Sequence, residues 1–240
     1  MHDDGTDVSK TPARIAGMFD AIAGRYDFLN HFLSGGIDRR WRARAIRSLA
    51  LTGRETVLDV CTGTGDLAIE AMQASPSAAR VVGVDFAGAM LAIGHDKLRR
   101  AGAVERITLL RGDAMRIPLA DRSVDGVTVG FGIRNVADVP AACREMLRVL
   151  KPGGRIAILE FAVPTTPVFR DVFGWYMHTV LPRLGRAISR HQGAYKYLQA
   201  SIDAWLTPAE FVTILRQSGF VEIHAVPLTL GAVFLYEARR

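Results

Sequence analysis

Val57-Leu58-Asp59-Val60-Cys61-Thr62-Gly63-Thr64-Gly65-Asp66, residues 57–66, runs from an apolar β-rich stretch through a glycine turn into a helical pattern. Glycines at such a turn let backbone approach a ligand closely, and the helix that follows offers unpaired N–H groups. A G-x-G alone says little; its place after a first strand gives it meaning. Asp85 closes a second apolar run about twenty residues beyond Gly65, where an acid can accept from both hydroxyls of a ribose.

Outward from this stretch the pattern repeats. Strands are predicted at Thr56–Val60, Arg80–Asp85, Arg106–Arg111, Val124–Phe131 and Arg155–Phe161, and helices at Asp66–Gln73, Ala87–Arg100 and Val139–Leu150. This alternation predicts an α/β fold, a mostly parallel sheet covered by helices. Lys151-Pro152-Gly153-Gly154 reads as a helix stop and tight turn. Thr207 caps a helix over Pro208–Ser218, and Phe220–Val226 with Ala232–Ala238 read as a closing antiparallel pair. The whole chain, 1–240, reads as one domain: a helical cap at 11–50, a ligand-binding core at 56–161, a helical insertion at 165–203 and a final helix and strand pair at 207–240. Within the insertion, Phe169, Phe173, Met177, Val180, Leu184 and Ile188 recur at steps of three and four, with Pro182 placed to kink the helix.

Gly63-Thr64-Gly65-Asp66-Leu67-Ala68 would pass the size test of a dinucleotide fingerprint. Asp66, however, sets a carboxylate in the first helical turn, where a pyrophosphate would sit, and like charges repel. S-adenosylmethionine carries no phosphate; it brings an ammonium, a carboxylate and a sulfonium. Asp59, Asp85 and Asp113 stand at three successive strand ends, and Asp113 is placed to accept from an adenine amino group. Three acids in register fit a methyl-donor site better than a dinucleotide site.

The sequence also resembles the C-methyltransferases of menaquinone and ubiquinone biosynthesis over nearly its whole length. Tyr26-Asp27-Phe28-Leu29-Asn30, Leu33-Ser34 and Arg40-Trp41 are similar to that family's N-terminal signature. Arg148-Val149-Leu150-Lys151-Pro152-Gly153-Gly154 with Glu160-Phe161 is similar to its second. Phe131-Gly132-Ile133-Arg134-Asn135-Val136 and Tyr195-Lys196-Tyr197-Leu198 with Ser201-Ile202 resemble further blocks. The resemblance implies a class I S-adenosylmethionine-dependent methyltransferase, a Rossmann-like fold with a seven-stranded, mostly parallel sheet. It implies cofactor contacts at Thr64, Asp85, Asp113 and Ala114. Gly63, Gly65 and Asp59 join them from the turn, and Gly130, where the family often has Ser, offers backbone only.

The implied reaction is C-methylation of a polyprenyl quinol, most directly demethylmenaquinol and also 2-methoxy-6-polyprenyl-1,4-benzoquinol. Arg134 and Asn135 are then the catalytic candidates, placed to hold the developing quinolate oxygen. A guanidinium stays protonated, so Arg134 is not the base. His31, His178, Tyr26, Tyr195 and Tyr197 are the residues that could relay a proton.

Net charge is +6 with a pI near 9.7, a balance that suits phosphate-bearing partners or an anionic membrane surface. Arg183, Arg186 and Arg190 could lie against lipid headgroups, making a peripheral membrane contact an expectation. No run approaches the roughly 18 apolar residues of a membrane span, and MHDDGTDVSK lacks the apolar core of a signal peptide. Cys61 and Cys143 lack metal-ligand spacing, so no metal is expected and reduced thiols in the cytoplasm are. A nucleic-acid methyltransferase is disfavoured: Gly-Phe-Gly-Ile-Arg-Asn stands where amino-methylating enzymes carry Asn/Asp-Pro-Pro-aromatic, and no basic cluster interleaves with aromatics. No nucleic-acid partner is expected. A non-catalytic cofactor-binding scaffold and a homodimer both stay open.

Overall fold

Apolar β-branched runs that bury both faces build the centre of the protein. The computed structural model describes residues 15, 17–20, 23, 31, 34–74, 80–176, 179 and 192–240, with the side chains of 192–196 outside that set. Several sequence expectations therefore fall outside the described residues. They are the block Tyr26–Asn30 with Leu33, most of the helical stretch before residue 34, His178, and the apolar positions Met177, Val180, Leu184 and Ile188. Pro182, Arg183, Arg186, Arg190 and the side chains of Tyr195 and Lys196 fall there too.

In chain order the elements are α1 (Asp38–Ser48), β1 (Thr56–Val60), α2 (Asp66–Ala74), β2 (Arg80–Asp85), α3 (Gly88–Arg100), β3 (Ile107–Arg111) and β4 (Val124–Gly130). There follow α4 (Val139–Val149), β5 (Leu150–Phe161), α5 (Pro167–Trp175), α6 (Gln192–Asp203), α7 (Pro208–Gln217), β6 (Val221–Leu228) and β7 (Val233–Arg239). The seven strands form one sheet in the order β3-β2-β1-β4-β5-β7-β6. All pairings are parallel except those of β7 with β5 and with β6. Residues alternate across the sheet. Val57, Val81, Leu109 and Leu159 pack against α1, α2 and α3, and Leu58, Val129 and Ile158 pack against α4 and α7.

Local signals set the ends. Asp138 caps α4, its side chain accepting from the Ala141 N–H at 2.8 Å, with Pro140 in the first turn. Thr207 and Glu210 close a reciprocal capping box on α7. Most boundaries fall within one or two residues of the sequence reading; the start of β5 differs most. Lys151–Gly154 lies within β5 rather than between elements, because Leu150 already pairs with Val124 while Arg155 pairs with Gly126. The expected turn survives as a bulge inside the strand, with Gly153 at φ +76°.

Candidate active site

Strand order reverses between β1 and β4, the place where an open parallel sheet leaves a crevice at its carboxyl edge. A cleft lies there, lined by residues from the ends of β1, β2, β3 and β4. Gly63 follows β1, Asp85 ends β2, Asp113 and Ala114 follow β3, and Gly130 ends β4; all five line the cleft, as does Asn135. Of the sequence-predicted site residues, Asp59, Thr64, Gly65 and Arg134 are not part of its wall.

Asp59 sits beneath the glycine turn and is fully buried. It is in register with Thr128 on β4, so its carboxylate accepts from the Thr128 hydroxyl at 2.8 Å and from the Thr62 hydroxyl at 2.6 Å. Burial pushes this carboxyl up to about 7, against the two hydroxyl hydrogen bonds. The acid thus fastens the turn to the neighbouring strand from behind. Thr64 is buried and accepts from Lys97 Nζ at 3.2 Å. Gly65 takes φ +83°, which closes the turn ahead of α2.

Asp85 binds the turn from the other side. Its Oδ2 accepts from Gly63 N–H at 2.7 Å and its Oδ1 from Ala87 N–H at 2.8 Å. Burial raises its pKa although both backbone bonds oppose that. Asp113 Oδ1 accepts from Met115 N–H at 2.8 Å. Each carboxylate keeps acceptor capacity for a ligand. Gly130 leaves room above Leu67, whose Cδ2 would lie 3.3 Å from an added Cβ.

Asp66 behaves differently from its sequence reading. It pairs with Lys97, and Arg42 approaches at 3.5 Å, so its charge is balanced locally. The repulsion argued from Asp66 is thereby largely cancelled. The argument against a pyrophosphate survives on other residues: among the described residues the cleft wall holds two carboxylates, Asp85 and Asp113, and no lysine or arginine. Such a wall suits a cationic ligand.

The far side of the cleft is a tight turn after β4. Phe131 takes φ +57°, and Ile133–Asn135 form a single 3-10 turn. Arg134 is 4% exposed and points away from the cleft wall into an ion pair, its guanidinium donating to Glu160 Oε1 at 2.8 Å. It also donates to the Ser201 hydroxyl at 3.2 Å and to the Phe131 carbonyl, while Glu160 Oε2 accepts from the Arg134 backbone N–H at 3.2 Å. Asn135 alone of the pair reaches the cleft, and its Oδ1 accepts from the Tyr197 hydroxyl at 3.0 Å.

Sequence reading missed the apolar wall: Phe19, Phe86, Met90, Met115 and the Phe131 ring, which packs between Trp41 at 5.9 Å and Phe161 at 4.7 Å between ring centres. It also missed Cys61, at φ +55° directly after β1, where burial and nearby carboxylates push the thiol up. Both central strands are therefore followed at once by a non-glycine residue in the left-handed region, a costly conformation typical of functional sites. The signal was hidden because neither residue type advertises that conformation.

Residues 7–240 match the model of the ubiE/COQ5 methyltransferase family. A ubiquinone/menaquinone biosynthesis C-methyltransferase UbiE from Geobacter sp. (strain M21) is 44% identical over 95% of this chain and 97% of its own. A demethylmenaquinone methyltransferase from Corynebacterium glutamicum (strain R) is 40% identical over 97% and 96%. Among solved structures, a putative S-adenosyl-L-methionine-dependent methyltransferase from Methanococcus maripaludis aligns with TM-score 0.64 at 22% identity, covering 91% of each chain. At that identity the likeness is one of fold, and it is the Rossmann-like α/β fold expected of the sequence.

Proposed function

The chain belongs to the ubiE/COQ5 methyltransferase family, and on that premise we propose that it methylates a ring carbon of a polyprenyl quinol. One observation carries the reading: the cleft joins two carboxylates, an apolar wall and one amide side chain, Asn135, with no lysine or arginine on the described wall. That set fits S-adenosylmethionine, which supplies a methyl group made electrophilic by its sulfonium.

Asp85 would accept the ribose hydroxyls and Asp113 the adenine amino group, with Gly63, Ala114 and Gly130 admitting the ligand close to backbone. Asp59, Thr64 and Gly65 hold the turn in shape from behind. A quinol carbon becomes nucleophilic when the adjacent hydroxyl ionises and its charge enters the ring. The Asn135 amide donates to that oxygen and stabilises it as charge develops. Arg134 and Glu160 set the turn that presents Asn135. Phe131 and Met115 exclude water, which strengthens that hydrogen bond.

Demethylmenaquinol is the first substrate in this reading and the polyprenyl benzoquinol the second; relatives bear both the menaquinone and the ubiquinone name. Among the described residues no helix is long and apolar enough to cross a membrane. The reading includes a peripheral contact at the inner face of the membrane, with the chain in the cytoplasm; α5 supports the membrane contact. There Val168, Val172 and Trp175 recur at i, i+4 and i+7 and are 77%, 54% and 61% exposed. Flotation with anionic liposomes should carry the protein upward, and a wholly soluble protein would count against the contact.

The deciding experiment is transfer of a labelled methyl group to short-tail demethylmenaquinol. Labelled menaquinol supports the proposal. Cofactor binding without methylation of either quinol class would overturn it and favour a cofactor-binding scaffold.

A further inference from the structure

Helix α6 comes from the far end of the chain, yet it supplies two polar side chains to the turn after β4. Tyr197 and Ser201 stand four residues apart and so share one helical face. Both are buried, at 5% exposure each. The Tyr197 hydroxyl donates to Asn135 Oδ1 at 3.0 Å, and the Ser201 hydroxyl accepts from Arg134 Nε at 3.2 Å while donating to the Leu198 carbonyl at 2.8 Å. The two residues of the turn are thus each bonded to α6, one for one.

A side-chain amide has two ends of nearly equal shape and opposite hydrogen-bonding character. Which end enters the cleft decides whether Asn135 offers a donor or an acceptor to a ligand oxygen. With Oδ1 engaged by a phenol that donates, the Asn135 NH2 group is the end left for the cleft, and it meets no acceptor among the described residues. An amide free to turn would present its oxygen to a developing oxyanion part of the time, and that contact is repulsive.

We infer that Tyr197 is a positioning residue for methyl transfer: its hydroxyl locks the Asn135 amide with the donor facing the substrate oxygen. The inference rests on the proposed quinol C-methylation for its kinetic consequence, and on geometry alone for the lock. Ser201 holds the neighbouring Arg134 in its buried place, accepting from Nε. Through these two residues α6 is part of the site's machinery.

Tyr197→Phe removes one oxygen and keeps the ring that packs. In the full-length protein this variant should lower kcat with short-tail demethylmenaquinol roughly tenfold, with the KM for S-adenosylmethionine unchanged and Tm lowered by a few degrees at most. The same substitution in an Asn135→Ala background should cost nothing further, since the amide it orients is gone. A purely structural tyrosine would give the same loss in both backgrounds. Side-chain amide signals in ¹H–¹⁵N spectra give a second readout that needs no turnover. The Asn135 pair, identified by its absence in Asn135→Ala, should be sharp in the parent and shifted or broadened in Tyr197→Phe. Unchanged kcat in an active parent, additive losses in the cycle, or an unmoved Asn135 signal would each overturn the inference. If the parent methylates no quinol, the substrate reading fails while the amide signal still decides the lock.

Discussion

The two sides of the cleft are built on different plans. The glycine turn after β1 is held by residues close in sequence or on adjoining strands: Asp59 with Thr62 and Thr128, Asp85 with Gly63 and Ala87. The turn after β4 is held by Glu160 on the adjoining strand β5 and, from outside the sheet, by Tyr197 and Ser201 on α6. The first side presents carboxylates and open backbone; the second buries its charges and shows the cleft one amide. A ligand-binding turn can be written into a contiguous motif, whereas an oriented reactive group draws on whatever the fold brings alongside it. The two sides meet at Gly132, where an added Cβ would lie 2.3 Å from the Cys61 Cβ.

The largest effect should come from the buried pair that supports the second side. Glu160→Ala leaves the Arg134 guanidinium buried and uncompensated and should cost about 3–5 kcal/mol of stability. In a chain of this size that lowers Tm by roughly 10 °C. A shift of only a degree or two in a thermal melt would mean Arg134 is not dependent on Glu160.

Asn135→Ala separates chemistry from stability. It should reduce kcat about 100-fold or more, near 2.7–4 kcal/mol of transition-state stabilisation, with cofactor affinity intact. Single-turnover rates alongside calorimetric binding of S-adenosylmethionine check both halves. Loss of cofactor affinity instead would assign Asn135 to the first side of the cleft.

Gly132→Ala tests whether the two sides are mechanically joined. Its methyl group must displace Cys61 or its own turn, at a cost of up to about 3 kcal/mol. Both cofactor affinity and turnover should fall together. If one falls alone, the sides move independently.

Asp59 gives a pH test confined to the first side. In the folded chain its carboxyl keeps a proton until about 7, whereas the unfolded residue loses it at about 4. Folding therefore takes up a proton between those values, and stability falls as pH rises through them. The loss from this group between pH 5 and 7 should be about 2 kcal/mol. Denaturant melts should show that fall in the parent and a flatter profile in Asp59→Asn. A profile that is the same in both would place the titration elsewhere.

Much of the first side is legible in the amino-acid sequence. Gly63, Asp85, Asp113 and Ala114 each stand at or shortly after the end of a strand, as Gly130 does on the second side, and strand ends can be read from hydrophobic period. The same rule picks out Asp59, but it gives only position along the strand; the sheet's pleat turns that residue behind the glycine turn, toward Thr62 and Thr128. Thr64 lies in the turn itself and accepts from Lys97 on α3. Asp66 draws attention by its charge, yet Lys97 on α3 and Arg42 on α1 balance it. No local pattern could show that.

The sequence by itself determined the α/β alternation, nearly all strand positions, the caps at Asp138 and Thr207, and the acids around the cleft, because these follow from hydrophobic period and short-range hydrogen bonding. Only the tertiary structure decided that Arg134 turns inward to Glu160 while Asn135 turns to the cleft, and that Tyr197 meets Asn135 across 62 positions of chain. Neighbouring residues on a tight turn point in different directions. Which of them finds a buried partner depends on elements that meet only when the sheet closes.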